Sequence, residues 1–191
     1  MKTALLVIDF INDITHADGK IPSCAAHVAE CHAVQHANQA LQYARAHSWL
    51  PILVKVGFSE GYLEQPKHSP VFGKAHAFGA LKLGQWGTEF RDDLEVEPGD
   101  LVVVKPRISS FYSTSLDAAL RANHIERLVV CGVSTTWAIQ AVVRDAHDRD
   151  YHVVIIEDAC AAANEEEHRV SIAQLSRIAT ITTAAQLSSL L

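Results

Sequence analysis

Cysteine is sparse. Cys24, Cys31, Cys131 and Cys160 are the only four in 191 residues, and they lie far apart, with no CxxC pair and no metal-ligand spacing. This excludes a disulfide-stapled scaffold and makes a reducing cytoplasm the expected setting. Basic residues are also short, 16 Lys and Arg against 22 Asp and Glu for a formal net charge of -6. No cluster of them could follow a phosphate backbone, so no nucleic-acid partner is expected. No apolar run approaches the roughly 20 residues that span a bilayer, so no membrane partner is expected either. The opening MKTALLVIDF is expected to enter a strand directly instead of forming a cleavable leader. Repeats, low-complexity tracts and linker-like stretches are missing as well, which leaves one domain over residues 1–191 as the expectation. A hydrophobic fraction of 49% is enough to build a substantial core.

The apolar residues fall into short unbroken runs. Ala4 to Ile8, Pro51 to Val56, Leu101 to Val104, Leu128 to Cys131 and His152 to Ile156 read as buried strands, with a further edge strand near Ile178 to Thr182. Helical segments are expected between them: a long one from Ser23 to Ser48, a short one from Ser115 to Asn123, and one from Glu165 to Ile178 with acidic residues in its first turn. Strands apolar throughout and alternating with helices mean an α/β fold, a parallel sheet covered on both faces. Residues 58–99 break this rhythm with glycines and prolines. A loop that long inside a compact domain is expected to be a lid or a substrate-binding excursion, the plain alternative being a surface insertion.

The segment RLVVCGVSTTWAIQAVVRD, from Arg127 to Asp145, organises the rest. Its strand breaks at Gly132, and Ser134, Thr135 and Thr136 can cap a helix carrying Ile139, Val142 and Val143 on one side. Such a turn aims backbone N–H groups and a positive helix end at whatever lies above the sheet. Asp9, Lys105 and this turn all end strands on the side where open α/β sheets bind ligands. Asp9 and Lys105, at adjacent strand ends, could form a plain ion pair at the rim. They could equally be a tuned proton donor or acceptor and the cation that fixes its charge. Lys55 competes for the second role, and Asp158 reads as structural. His32 and His36 have a spacing that could bind metal but read as a solvated helix face. Trp86, Phe111, Tyr112, Ser134 and Trp137 are candidates to wall a substrate pocket, although aromatic residues following a strand are as often core.

The pieces LLVIDFIND, GTEF, PGDLVVVKPRISSFYST, CGVSTTWAIQAVVRDAHDRDY and VVIIEDACAA with His168 following resemble, in order and spacing, the isochorismatase-like hydrolases, also called cysteine hydrolases. The resemblance covers nearly the whole chain. It implies a Rossmann-like three-layer sandwich with a mostly parallel sheet, a homo-oligomer, a cis peptide at Val133–Ser134, and hydrolysis of small amides or isochorismate-like vinyl ethers. It also implies a catalytic Asp at Asp9, a Lys at Lys105, and a nucleophilic Cys at the position held here by Ala138. Alanine cannot form an acyl-enzyme. Ile11 departs from the glutamine often found two positions after the Asp. KVGFSEGYLEQPKH lacks the D-x-H-like cluster of metal-binding members, so no metal and no cofactor are expected.

The reading that follows is a hydrolase acting on a small, anionic molecule through Asp9 and Lys105, without a cysteine nucleophile. Two alternatives stand beside it. One is a nicotinamidase-like amidohydrolase scaffold whose Cys is replaced by Ala138, naturally or by engineering. The other is a non-catalytic small-molecule-binding protein.

Overall fold

Five apolar runs and a short edge strand form the sheet of the computed structural model, which describes residues 1–190. The strands are β1 (Thr3–Ile8), β2 (Leu50–Val56), β3 (Leu101–Lys105), β4 (Arg127–Val133), β5 (His152–Ala161) and β6 (Thr180–Thr182). They lie in the order β3-β2-β1-β4-β5-β6, and every neighbouring pair is parallel. The chain therefore builds one half of the sheet outward from β1, returns, and builds the other half outward from β4. Right-handed crossovers running in opposite directions put their helices on opposite faces. All six residues of β1 are buried, as this two-sided cover requires.

The helices are α1 (Asn12–Thr15), α2 (Ala25–Glu30), α3 (Ala33–Ala46), α4 (Ala75–Phe78), α5 (Leu116–Ala122), α6 (Gln140–His147) and α7 (Glu165–Leu175). Helix α3 lies along β1, β2, β4 and β5. It presents Ala33, Val34, Ala37, Ala40, Leu41 and Ala44 to the core, small residues that let it approach the sheet closely. Helix α6 buries Val142, Val143 and Ala146 against the sheet on the other side.

Two expected boundaries move. The single helix from Ser23 to Ser48 is two helices, broken at His32, which sits in the left-handed region with φ 53°. No glycine or proline announces that break. The exposed His32 and the half-buried His36 belong to different parts of it. His36 is tied by Nδ1 to the Asp158 carbonyl at 2.8 Å, a structural contact. Strand β5 runs on past Ile156 through Glu157 and Asp158 to Ala161. It does so through a bulge: Ile155 pairs with Val130 and Cys160 with Gly132, five steps on β5 against two on β4. The extra residues carry the polar pair, which explains why the apolar pattern stops early.

Residues 58–99 form a packed excursion around their own apolar cluster, with Phe58, Tyr62, Phe72, Ala75, Ala80 and Leu81 buried against Ile11 and Val56. At the sheet centre, Gly132 has φ 127°, and a Cβ there would fall 2.1 Å from the Ile8 carbonyl oxygen. Only glycine lets β4 and β1 close at this point. Gly132→Ala is expected to destabilise the fold by about 2–4 kcal/mol, since strain and a backbone clash combine. Urea denaturation checks this, and an unchanged midpoint would contradict the close approach.

Candidate active site

Asp9 follows β1 directly and adopts φ 57°, a left-handed conformation that aspartate tolerates better than most residues. Its Oδ1 accepts the Val56 N–H at 2.8 Å, and its Oδ2 lies 2.7 Å from Lys105 Nζ. The two strand ends are not adjacent in the sheet. Strand β2 lies between them, and its last residue, Val56, is the bridge. The Lys105 ammonium also donates to the carbonyls of Arg107 at 3.3 Å and Ile108 at 3.2 Å. Its three N–H donors thus have three acceptors. Both side chains are nearly inaccessible, 4% exposed for Asp9 and 2% for Lys105. Burial pushes the Asp9 carboxyl above its ordinary value, with Lys105 and the Val56 N–H pulling the other way. The result is a carboxyl group more ready to hold a proton than one in water.

The pair forms the floor of a cavity of about 300 Å³. Ser134, Trp137 and Ala138 form one wall, and Phe72 and Leu81 of the long excursion form another. The excursion therefore contributes directly to the cavity. Val133–Ser134 is cis. Ser134 caps the next turn, its Oγ accepting the Trp137 N–H at 3.3 Å. Residues Thr135–Ile139 are π-helical before α6 begins, a local widening often found at functional sites. Ala138 is buried and faces the cavity.

Several further residues of the site were given no role by the sequence, although Asn12, Asp13, Gly87 and His168 lie in the pieces that carry the family resemblance. Asp13 is 1% exposed and accepts the N–H groups of Lys20 at 3.2 Å and Leu81 at 2.7 Å. Gly87 packs on its carboxylate so closely that a Cβ would lie 2.3 Å away. Asn12 Nδ2 donates to the Trp86 carbonyl at 2.9 Å. Together these two neighbours of Asp9 fasten the excursion over the cavity. Behind the π-helical turn, Thr135 Oγ1 lies 2.9 Å from His168 Nδ1, and the His168 ring meets His27 edge-on at 5.6 Å. The Ala162 N–H donates to His27 Nδ1 at 3.2 Å. His27 Nε2 must then carry the proton it gives to Glu165 at 3.1 Å. Burial, with His27 adding to it, lowers the His168 proton affinity.

Cys24 also lines the cavity. Its thiol is pushed up to about 11, mainly by burial. Burial likewise raises Cys31, Cys131 and Cys160. None of the four cysteines is a ready thiolate.

Other candidates lie elsewhere. Trp86 borders a separate cleft with His16 and Arg91. Phe111 is core, stacked on Tyr151 with the Arg149 guanidinium 4.6 Å from its ring. Tyr112 is exposed and lines a neighbouring cleft. Lys55 donates to the Thr88 carbonyl at 3.0 Å and does not line the cavity. Asp158 accepts the Ala184 N–H at 2.9 Å, a structural role. Among the described residues, no three His, Cys, Asp or Glu side chains are grouped so as to hold a metal ion.

The family model described as "Isochorismatase domain" matches residues 3–186. The chain belongs to the isochorismatase family. It is 31% identical over 185 residues to the ureidoacrylate amidohydrolase RutB of Acinetobacter baylyi, covering 90% of this chain and 76% of that protein. An isochorismatase family protein from Desulfovibrio vulgaris shares the fold with a TM-score of 0.88 at 24% identity, covering 99% of this chain and 97% of the other. The pyrazinamidase of Pyrococcus horikoshii, solved in complex with zinc, superposes with a TM-score of 0.81 at 19% identity, over 96% of this chain and 99% of that one. Membership in this family and the amidohydrolase names of its relatives make the chain a hydrolase.

Removing one partner of the buried pair leaves an uncompensated charge. Lys105→Met is expected to cost about 3–5 kcal/mol, and the Asp9→Asn/Lys105→Met double variant less than the sum of the singles. A double-mutant cycle by chemical denaturation reads this directly, and strict additivity would contradict the coupling. His168 supplies a pH signature. Because its folded-state proton affinity is lowered from the ordinary 6.5, the unfolded chain protonates first. Its contribution is full above about 6.5 and is lost as pH falls from there through the lower folded-state value. Thermal melts from pH 8 to pH 5 should show the parent losing more than His168→Gln, and parallel curves would contradict it.

Proposed function

We propose that this protein hydrolyses a small, anionic molecule by acid–base catalysis at Asp9, with Lys105 as its fixed counter-charge and no covalent intermediate on cysteine. One observation carries the reading. The buried Asp9–Lys105 pair is complete and faces the cavity, while the wall opposite presents the methyl group of Ala138 where a thiol would be needed. The raised proton affinity of Asp9 and the raised thiols of all four cysteines support it.

An isochorismatase-like vinyl ether suits these groups. Asp9 delivers its proton to the terminal enol-ether carbon, and the C=C electron pair forms the new C–H bond, leaving an oxocarbenium ion. Lys105 stabilises the carboxylate that remains. Water adds to the cationic carbon and returns a proton to Asp9. The hemiketal then collapses to a ketone and an alcohol. Ser134 and Trp137 border the reacting group, and Phe72 and Leu81 keep bulk water away from it. No step needs a nucleophilic side chain.

The 31% identity to a ureidoacrylate amidohydrolase favours a second reading, an amidase scaffold that lost its nucleophile at position 138. One experiment separates the two. Parent, Asp9→Asn, Cys24→Ser and Ala138→Cys are assayed against a panel of enol-ether acids and small amides. On the leading reading the parent turns over an enol-ether acid, Cys24→Ser keeps that activity, and Asp9→Asn loses about 10²–10⁴-fold, the usual worth of a general acid. Turnover that survives Asp9→Asn removes this mechanism. Amide hydrolysis gained only by Ala138→Cys, with rapid alkylation of the new thiol, establishes the amidase scaffold. Ligand binding without turnover in all four variants leaves a binding protein.

A further inference from the structure

We propose that Arg107 binds a carboxylate in an outer subsite, so that the substrate is an elongated acid with an uncharged reactive group in the Asp9 cavity. The proposal rests on the hydrolase reading for what happens in the inner cavity, and on separate observations for the outer one.

The inner cavity has little to offer an anion. Its lining is largely apolar, and its one cation, Lys105, already has Asp9 at 2.7 Å and two backbone carbonyls as partners. An anionic group placed there would compete with Asp9 and two backbone carbonyls for the same ammonium. A second cleft of about 480 Å³ adjoins the first, and the two share Phe72 and Ile108. Arg107, His68 and Tyr112 line this outer cleft. A single molecule passing Phe72 would occupy both.

Arg107 is held in place there. Its backbone carbonyl is one of the acceptors of the Lys105 ammonium, which fixes the segment to the reaction centre. Its guanidinium lies 5.7 Å from the Tyr112 ring centre. Its side-chain hydrogen bonds run through Nη1 alone, to the carbonyls of Glu64 at 2.9 Å and Pro106 at 2.6 Å. The nearby Glu64 carboxylate is occupied by the Ser59 N–H and hydroxyl. Among the described residues no carboxylate pairs with Arg107, and its Nε and Nη2 donate to no protein acceptor. Those two donors form one edge of a planar fork, the spacing that matches the two oxygens of a carboxylate. A guanidinium anchored at one end, lying over an aromatic ring and open at the other edge is arranged to hold an acid in a fixed direction.

The test uses a matched probe pair, 3-phenylpropanoate and 3-phenylpropanamide, which differ in the charge of one terminal group. Calorimetric titration is run on the parent, Arg107→Ala, Arg107→Lys and Asp9→Asn, at low and high salt. The parent should bind the acid about tenfold more tightly than the amide, with high salt eroding that preference. Arg107→Ala should lose the preference while binding the amide as the parent does, Arg107→Lys should keep part of it, and Asp9→Asn should keep it. Equal affinities for the two probes, a preference that survives Arg107→Ala, or no binding of either probe at millimolar concentration would overturn the subsite. Turnover measured alongside keeps the two claims apart. Activity surviving Asp9→Asn removes the mechanism and leaves the subsite. An acid preference surviving Arg107→Ala removes the subsite and leaves the mechanism.

Discussion

A carboxylate and an ammonium buried together carry a desolvation penalty of several kcal/mol per ion, which only good geometry offsets. Asp9 and Lys105 meet that requirement with no spare partner. The lysine spends its donors on Asp9, Arg107 and Ile108, and the aspartate uses its second oxygen on the Val56 N–H. Because these atoms belong to the ends of β1, β2 and β3, the pair locks three strands into one relative register. The same contacts that make the pair tolerable in a dry interior therefore locate it at the carboxyl edge of the sheet. Stability and site geometry here share a single set of hydrogen bonds.

The cover over the pair depends on a second buried carboxylate. Asp13 accepts the N–H groups of Lys20 and Leu81 and has Gly87 packed on it. The nearby turn at residue 20 and the distant excursion at residues 81 and 87 thus converge on one side chain four residues after Asp9. This arrangement turns 42 residues of irregular chain (58–99) into a wall instead of a loose loop. Leu81 itself lines the cavity, so the anchor and the lining are the same residue. Anything that loosened Asp13 would admit water to Asp9 and weaken its hold on a proton.

What could be read from sequence follows the range of the forces involved. The buried strands were legible because a fully buried strand needs an unbroken apolar run, and the convergence of Asp9, Lys105 and the Ser134–Ala138 turn followed from the carboxyl-edge rule. The left-handed break at His32 was not, since no glycine or proline marks it and local packing alone enforces it. Strand β5 outran its apolar pattern because a bulge absorbs Glu157 and Asp158. Phe111 and Trp86 failed to reach the cavity for a simpler reason: an aromatic residue near a strand end has several surfaces to bury, and sequence does not say which. His27 was silent because its partner Glu165 lies 138 positions away in the chain. Local periodicity carries no information at that range.

A single carboxyl group sets a limit on the chemistry that Ala138 leaves open. Hydrolysis of an amide by direct water attack needs a base for the water and an acid for the departing amine, and the amide carbon is a poor electrophile until one of them has acted. Asp9 would have to serve both, and the contact with Lys105 weakens it as a base. An enol ether asks for one proton at carbon first and releases one from water afterwards, along the same path. The group that gives the proton is then in the correct state to take it back. In the proposed mechanism, burial keeps the Asp9 carboxyl protonated ahead of the first step, and Lys105 stabilises the moment just after it, when the carboxylate stands charged in a closed cavity. On the reading proposed above, Asp9 and Lys105 together meet what a proton-first hydrolysis asks for, whereas an amidase would still lack its attacking group at Ala138.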